Sequence, residues 1–172
     1  AHTIYGKRAD GTNIPGKAGL GQIYGLSVAR LMADNDEPDQ LVLSLYGQLA
    51  IGMTQDTYVS GEAVSVVPQG DAYYLKTYMP PNSGANSAFL ETLRLMLVHE
   101  RHGSDEVPRG LDLAFSTPRA WLGEGKTIDV RDARTSFGRV SYTIARTGSI
   151  VEASIQPPSP LPPSLRLRVR LP

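Results

Sequence analysis

Asp56, Glu62 and Asp71 fall in segments whose composition reads as loop or turn, and carboxylates so placed could supply a general acid and its partner base. Cleavage of a glycosidic bond usually needs two such groups facing across it, one protonated towards the leaving oxygen and one ionised as base or nucleophile. The competing role is structural, because loops carry many solvated acids and helix-end partners. Tyr58, Tyr73, Tyr74, Tyr78 and Trp121 add aromatic rings that could meet the apolar faces of pyranose rings while polar neighbours meet the hydroxyls. Trp121, directly between two strand-like segments, could equally plug a core, since Trp is highly buried on average.

Other constellations carry less. His99-Glu100-Arg101-His102 reads as the end of a third helix, but the spacing is not the two-turn His-Glu-x-x-His of metalloproteases. His2 would be needed as a further ligand, and basic side chains at a helix C-terminus are the plainer reading, so neither metal nor cofactor is expected. Ser60-Gly61 and Ser83-Gly84 lack the Gly-x-Ser-x-Gly elbow of serine hydrolases. Arg166, Arg168 and Arg170 form a ladder that could hold an anionic sugar polymer or a phosphate backbone, or could keep one face of a strand soluble.

Composition narrows the classes. Seventeen basic and seventeen acidic residues cancel, leaving no global field to draw in nucleic acid or an anionic membrane. The absence of cysteine removes disulfides, thiolate metal sites and cysteine nucleophiles. Apolar runs stop well short of the roughly 20 residues that span a bilayer, so no membrane partner is expected. The first residues lack the apolar region of a signal peptide, which leaves cytoplasmic location and secretion after processing both open. With 41% hydrophobic residues in 172, a packed core is expected.

The elements that must position these residues follow from periodicity. After an irregular opening segment, Leu20, Ile23, Tyr24, Val28, Leu31 and Met32 form a helical stripe that ends at Asp34-Asn35-Asp36. A second helix starts at Glu37-Pro38-Asp39, with Leu41, Val42, Leu45, Tyr46, Leu49 and Met53 on one face. Tyr58 to Met79 reads as a loop or a short hairpin around Gln69-Gly70-Asp71. A third helix carries Phe89, Leu90, Leu93, Met96 and Leu97 after caps among Ser83 to Asn86. Near Gly110 the period changes to two, giving strands at Leu111–Phe115, Ile128–Val130, Val140–Ile144, Ile150–Ile155 and Leu165–Leu171. The Pro-rich run from Pro157 to Pro163 must be a connection.

Four stretches, Thr57-Tyr-Val-Ser-Gly-Glu62, Met79-Pro-Pro-Asn-Ser-Gly-Ala-Asn-Ser-Ala-Phe-Leu-Glu-Thr-Leu-Arg94, Ser116-Thr-Pro-Arg-Ala-Trp-Leu122 and Ala133-Arg-Thr-Ser-Phe-Gly-Arg-Val-Ser141, occur in an order that resembles the C-terminal region of bacterial glycoside-hydrolase-like proteins. In such proteins the last helices of an (α/α) toroid are followed by a β-sandwich. The resemblance implies an α+β chain: a helical region over 1–105, then an antiparallel sheet or part of a sandwich over 106–172. It implies a carbohydrate-active module, a glycoside hydrolase or a fragment of one, with Glu62 the foremost acid among Glu62, Asp56 and Asp71. The alternative is a non-catalytic accessory or carbohydrate-binding domain carried by the tyrosines. An oligo- or polysaccharide is the implied partner. A homo-oligomer is also expected, since an incomplete toroid would expose apolar helix faces.

Overall fold

The computed structural model describes residues 18–171; the opening segment before them, with His2, lies outside the described residues. The architecture is α+β, with three α-helices and nine strands, in three three-stranded sheets, among the described residues. The chain divides into two compact units between Leu93 and Arg94, inside the third helix.

The first unit opens with strand β1 (Ala18–Gly21) and a 3-10 turn at Gln22–Tyr24. Helix α1 (Gly25–Asp34) buries Gly25, Ala29, Met32 and Ala33. The expected stripe is therefore too long at its start: Leu20 is a buried strand residue, and Leu31 is exposed. Asp34-Asn35-Asp36 does end the helix, by a Schellman arrangement. The Glu37 N–H donates to the Met32 carbonyl at 2.8 Å and the Asp36 N–H to that of Ala33 at 3.1 Å, with Asp36 left-handed at φ 57°. Helix α2 (Pro38–Gly47) has Pro in its first turn, buries Leu41, Ser44 and Leu45, and runs into one π-helical turn at Gln48–Gly52.

Strands β2 (Ala63–Gln69) and β3 (Ala72–Tyr78) form the expected hairpin around Gly70, at φ 58°, and β1 joins the free side of β2. This sheet lies within the region expected to be helical. Helix α3 (Ser83–Leu97) is capped one residue ahead of the expected set: the Asn82 Oδ1 accepts the Ala85 N–H at 2.9 Å.

In the second unit the chain passes directly from helix to strand. His99-Glu100-Arg101-His102 is not a helix end but belongs to β4 (Val98–His102), paired antiparallel with β5 (Pro108–Leu113). The Ala114 and Ser116 N–H groups take the carbonyls of Leu97 and Met96, which closes the end of α3 against β5. The Tyr142 hydroxyl also donates to the Leu97 carbonyl at 2.9 Å.

Strands β6 (Thr127–Thr135), β7 (Gly138–Thr147) and β8 (Ile150–Gln156) form an antiparallel meander. The Pro-rich connection then returns the chain as β9 (Arg166–Val169) beside β5, parallel to it. The expectation of purely antiparallel pairing fails at that one contact, because this long crossover permits the parallel direction that a tight turn forbids. Val98, Leu111 and Leu113 of one sheet share a core with Ile128, Val140, Tyr142 and Ile144 of the other, and Leu165, Leu167 and Val169 pack against it. The two sheets thus form a small sandwich whose outer face at β9 carries Arg166 and Arg168.

Candidate functional site

The loop between the π-helical turn and β2 is tied at its base. Met53 and Ser60 form an isolated antiparallel bridge, and the fully buried Ser60 hydroxyl donates to Asn86 Oδ1 at 2.6 Å. That bond gives Ser60 a structural task. Within the loop Asp56 and Tyr58 both hold left-handed backbones, at φ 64° and 52°. Such geometry costs a non-glycine residue roughly 1–2 kcal/mol. It is retained here by the Tyr58 N–H to Thr54 carbonyl bond at 3.0 Å and the Val59 N–H to Thr54 Oγ1 bond at 2.9 Å.

The outcome is a groove of about 640 Å³ whose walls include Leu49, Met53, Asp56, Tyr58, Leu75 and Thr77. Apolar side chains and an exposed ring stand beside a carboxylate and hydroxyls, a mixture suited to a ligand with apolar faces and a hydroxyl rim. Of the predicted acids, Asp56 lines this groove and Glu62 and Asp71 do not. Glu62 leads into β2, where its N–H donates to the Tyr78 carbonyl at 2.9 Å, and Asp71 lies in the turn at the other end of the hairpin. The seven residues of β2 between them span roughly 23 Å, far beyond the carboxylate separations of glycosidases, so Glu62 and Asp71 do not form an acid–base pair.

The tyrosines are placed by strand alternation. Tyr74, Lys76 and Tyr78 share one face of the sheet with Ser65, and the Lys76 Nζ stands 5.3 Å over the Tyr78 ring. Tyr73, Leu75 and Thr77 share the opposite face, on which Val64 and Leu20 are buried. Tyr58, Tyr73, Tyr74 and Tyr78 are 64%, 67%, 49% and 41% exposed. Gly61 enables the sheet to close here, since a Cβ would lie 2.6 Å from the Tyr78 carbonyl oxygen. Trp121 belongs to the second unit, in a 3-10 turn at Arg119–Leu122, where it is half-buried against the sandwich core. It is thus a core-edge residue and does not join the tyrosines.

One cluster escaped the sequence reading. Asp112, on the central strand β5, is fully buried. Arg168 donates to both of its oxygens, Nε at 3.0 Å and Nη2 at 2.7 Å, Arg101 donates Nε at 2.9 Å, and His99 Nδ1 stands 3.8 Å away. Burial by itself raises the Asp112 pKa, but the neighbouring His99 imidazole, the Arg168 hydrogen bonds and the charges of Arg101 and Arg168 outweigh it and hold it below the ordinary value. Phe115, expected to alternate with Leu111 and Leu113, instead lies against His99 with ring centroids 4.7 Å apart, because Ala114 adopts a left-handed backbone at φ 50°. Arg170 stacks over the same Phe115 ring at 5.4 Å. The legible signal was an acid in the outward phase of a central strand, opposite an arginine ladder.

Compared with known proteins, the chain matches no family model, no curated protein and no solved structure. The likeness to bacterial glycoside-hydrolase-like proteins rests on the sequence motifs alone. Among the described residues no group of three or more His, Asp or Glu side chains is gathered to hold a metal, and no helix is long and apolar enough to cross a membrane.

Proposed function

We propose that the chain is a carbohydrate-binding module whose first unit contacts an oligo- or polysaccharide around the edge strand β3, through Tyr58 and Tyr73 on the groove side and Tyr74 and Tyr78 on the opposite face. The observation that carries this reading is the exposure of all four rings on one hairpin and its adjoining loop, where burial would otherwise release free energy. Tyr58 supplies a ring to the groove, Asp56 and Thr77 supply hydrogen-bond partners, and Leu49 and Leu75 supply apolar wall. Tyr74 and Tyr78 stand four residues apart on one strand face, roughly 13 Å, a span that meets more than one sugar ring of a chain.

The catalytic form of the reading retains one acid in the groove, Asp56. An acid–base pair needs a partner for it, and neither Glu62 nor Asp71 lines that groove, so binding without turnover is favoured over hydrolysis. The test is a glycan pull-down panel with wild type and Tyr74→Ala/Tyr78→Ala, run beside a hydrolysis assay of wild type, Asp56→Asn and Glu62→Gln. Retention of a neutral glycan by wild type, its loss in the double variant and no turnover by any protein is the expected result. Turnover abolished by Asp56→Asn would replace the binding reading with the hydrolytic one, and retention unchanged by the double variant would remove the tyrosines.

A further inference from the structure

We infer that the outer face of the β4–β5–β9 sheet is a separate binding surface for the anionic groups, carboxylate or sulfate, of an acidic polysaccharide. Residues paired across neighbouring strands share a face, and here the rows are His99–Asp112–Arg168 and Arg101–Gly110–Arg166. Three guanidiniums therefore share that face with one carboxylate. Asp112 takes Arg168 and Arg101 from either side, and because it is fully buried it holds both side chains in fixed orientation. Burial of the carboxylate does not bury the two arginines, whose side chains remain 48% and 35% exposed. Guanidiniums immobilised before a ligand arrives lose less rotamer entropy on binding it.

Gly110 shapes the middle of the second row. A Cβ there would lie 2.5 Å from Arg101 Nη2, so the absence of a side chain is what lets the Arg101 guanidinium lie across the sheet towards the exposed Arg166. Arg166 and Arg168 project from the same face roughly 7 Å apart, a repeat that suits charges carried along a sugar chain. A nucleic acid fits less well, since single strands need exposed rings for base stacking. The ring on this side, Phe115, is buried beneath Arg170 and beside His99.

The test is affinity electrophoresis of the full chain through polygalacturonate, chondroitin sulfate, a neutral glucan and single-stranded DNA, at low and at physiological salt. Wild type should be retarded by polygalacturonate, chondroitin sulfate or both, more strongly at low salt, and the pair of acidic gels tells carboxylate from sulfate. Arg166→Ala touches no contact of the Asp112 cluster and should weaken retardation at least about tenfold, the worth of one charge-assisted hydrogen bond. Neutral-glycan binding through the tyrosines should be unchanged in that variant, which separates this proposal from the reading of the first unit. No retardation in either acidic polymer, equal retardation of Arg166→Ala, or tighter binding to DNA than to both polysaccharides would overturn it.

Discussion

Replacing Asp112 with Asn keeps the volume of the side chain and removes its charge, which makes it the sharpest test of what fastens the edge strand β9 to the sandwich. The wild-type carboxylate accepts three arginine N–H bonds at 2.7 to 3.0 Å from two strands. An amide has one oxygen, and its NH2 group would face a guanidinium, donor against donor. Breaking a fully buried ion pair costs about 3–5 kcal/mol when the surviving charge is stranded. Here Arg101 and Arg168 reach solvent and can rehydrate, which brings the expected loss to about 2–3 kcal/mol. Urea unfolding at neutral pH should show the midpoint falling by roughly 1 M for a slope of about 2 kcal/mol/M.

The pH dependence has a definite sign. The folded pKa of Asp112 lies below its ordinary 3.8, so its contribution is fully present above about pH 5 and is lost as pH falls through the folded value. The stability gap between wild type and Asp112→Asn should be flat from pH 5 to about 8 and shrink below pH 4. A loss under about 0.5 kcal/mol, or a gap that widens in acid, would refute the reasoning.

Three further substitutions test the packing. Tyr142→Phe removes the hydroxyl that bonds the Leu97 carbonyl and should cost about 1 kcal/mol in chemical denaturation. Burial pushes the Tyr142 hydroxyl up to about 12, so in an alkaline spectroscopic titration one tyrosine should ionise late and vanish from the curve in the variant. Because that folded pKa is raised, this residue's contribution holds below pH 10 and fades as pH climbs through 12. Gly110→Ala would bring a Cβ to 2.6 Å from the Arg166 carbonyl oxygen and should cost about 1–3 kcal/mol, read as a lowered thermal midpoint. Asp36→Gly relieves a left-handed aspartate at the end of α1 and should raise stability by about 0.5–1 kcal/mol; a decrease would contradict the Schellman reading of that turn.

The fold was legible where one period persisted over several residues and a cap or turn signal bounded it. Helix α3, the meander β6–β8 and the alternation of Leu167 and Val169 with the arginines of β9 all meet that condition. Local pattern failed where a tertiary partner decided the outcome. Leu20 belongs to a strand because β2 pairs with it, and Val98–His102 leaves the helix because β5 offers a full ladder. The parallel β5–β9 contact depends on where a long Pro-rich connection lands, which no local rhythm encodes. For the site, residue type identified the tyrosines and Asp56 as candidates, but pairing of the acids required distance. Glu62 and Asp71 sit nine residues apart in sequence and at opposite ends of a hairpin. Asp112 looked like an ordinary outward residue until the register set it between Arg101 and Arg168.

The most direct test of glycan contact by the first unit is an amide-resolved NMR titration with a neutral oligosaccharide retained in the pull-down. Shift changes concentrated in residues 54–58 and along β3, saturating with the ligand, are the predicted result. Changes confined to residues 94–171, or saturation unaltered in Tyr74→Ala/Tyr78→Ala, would contradict it.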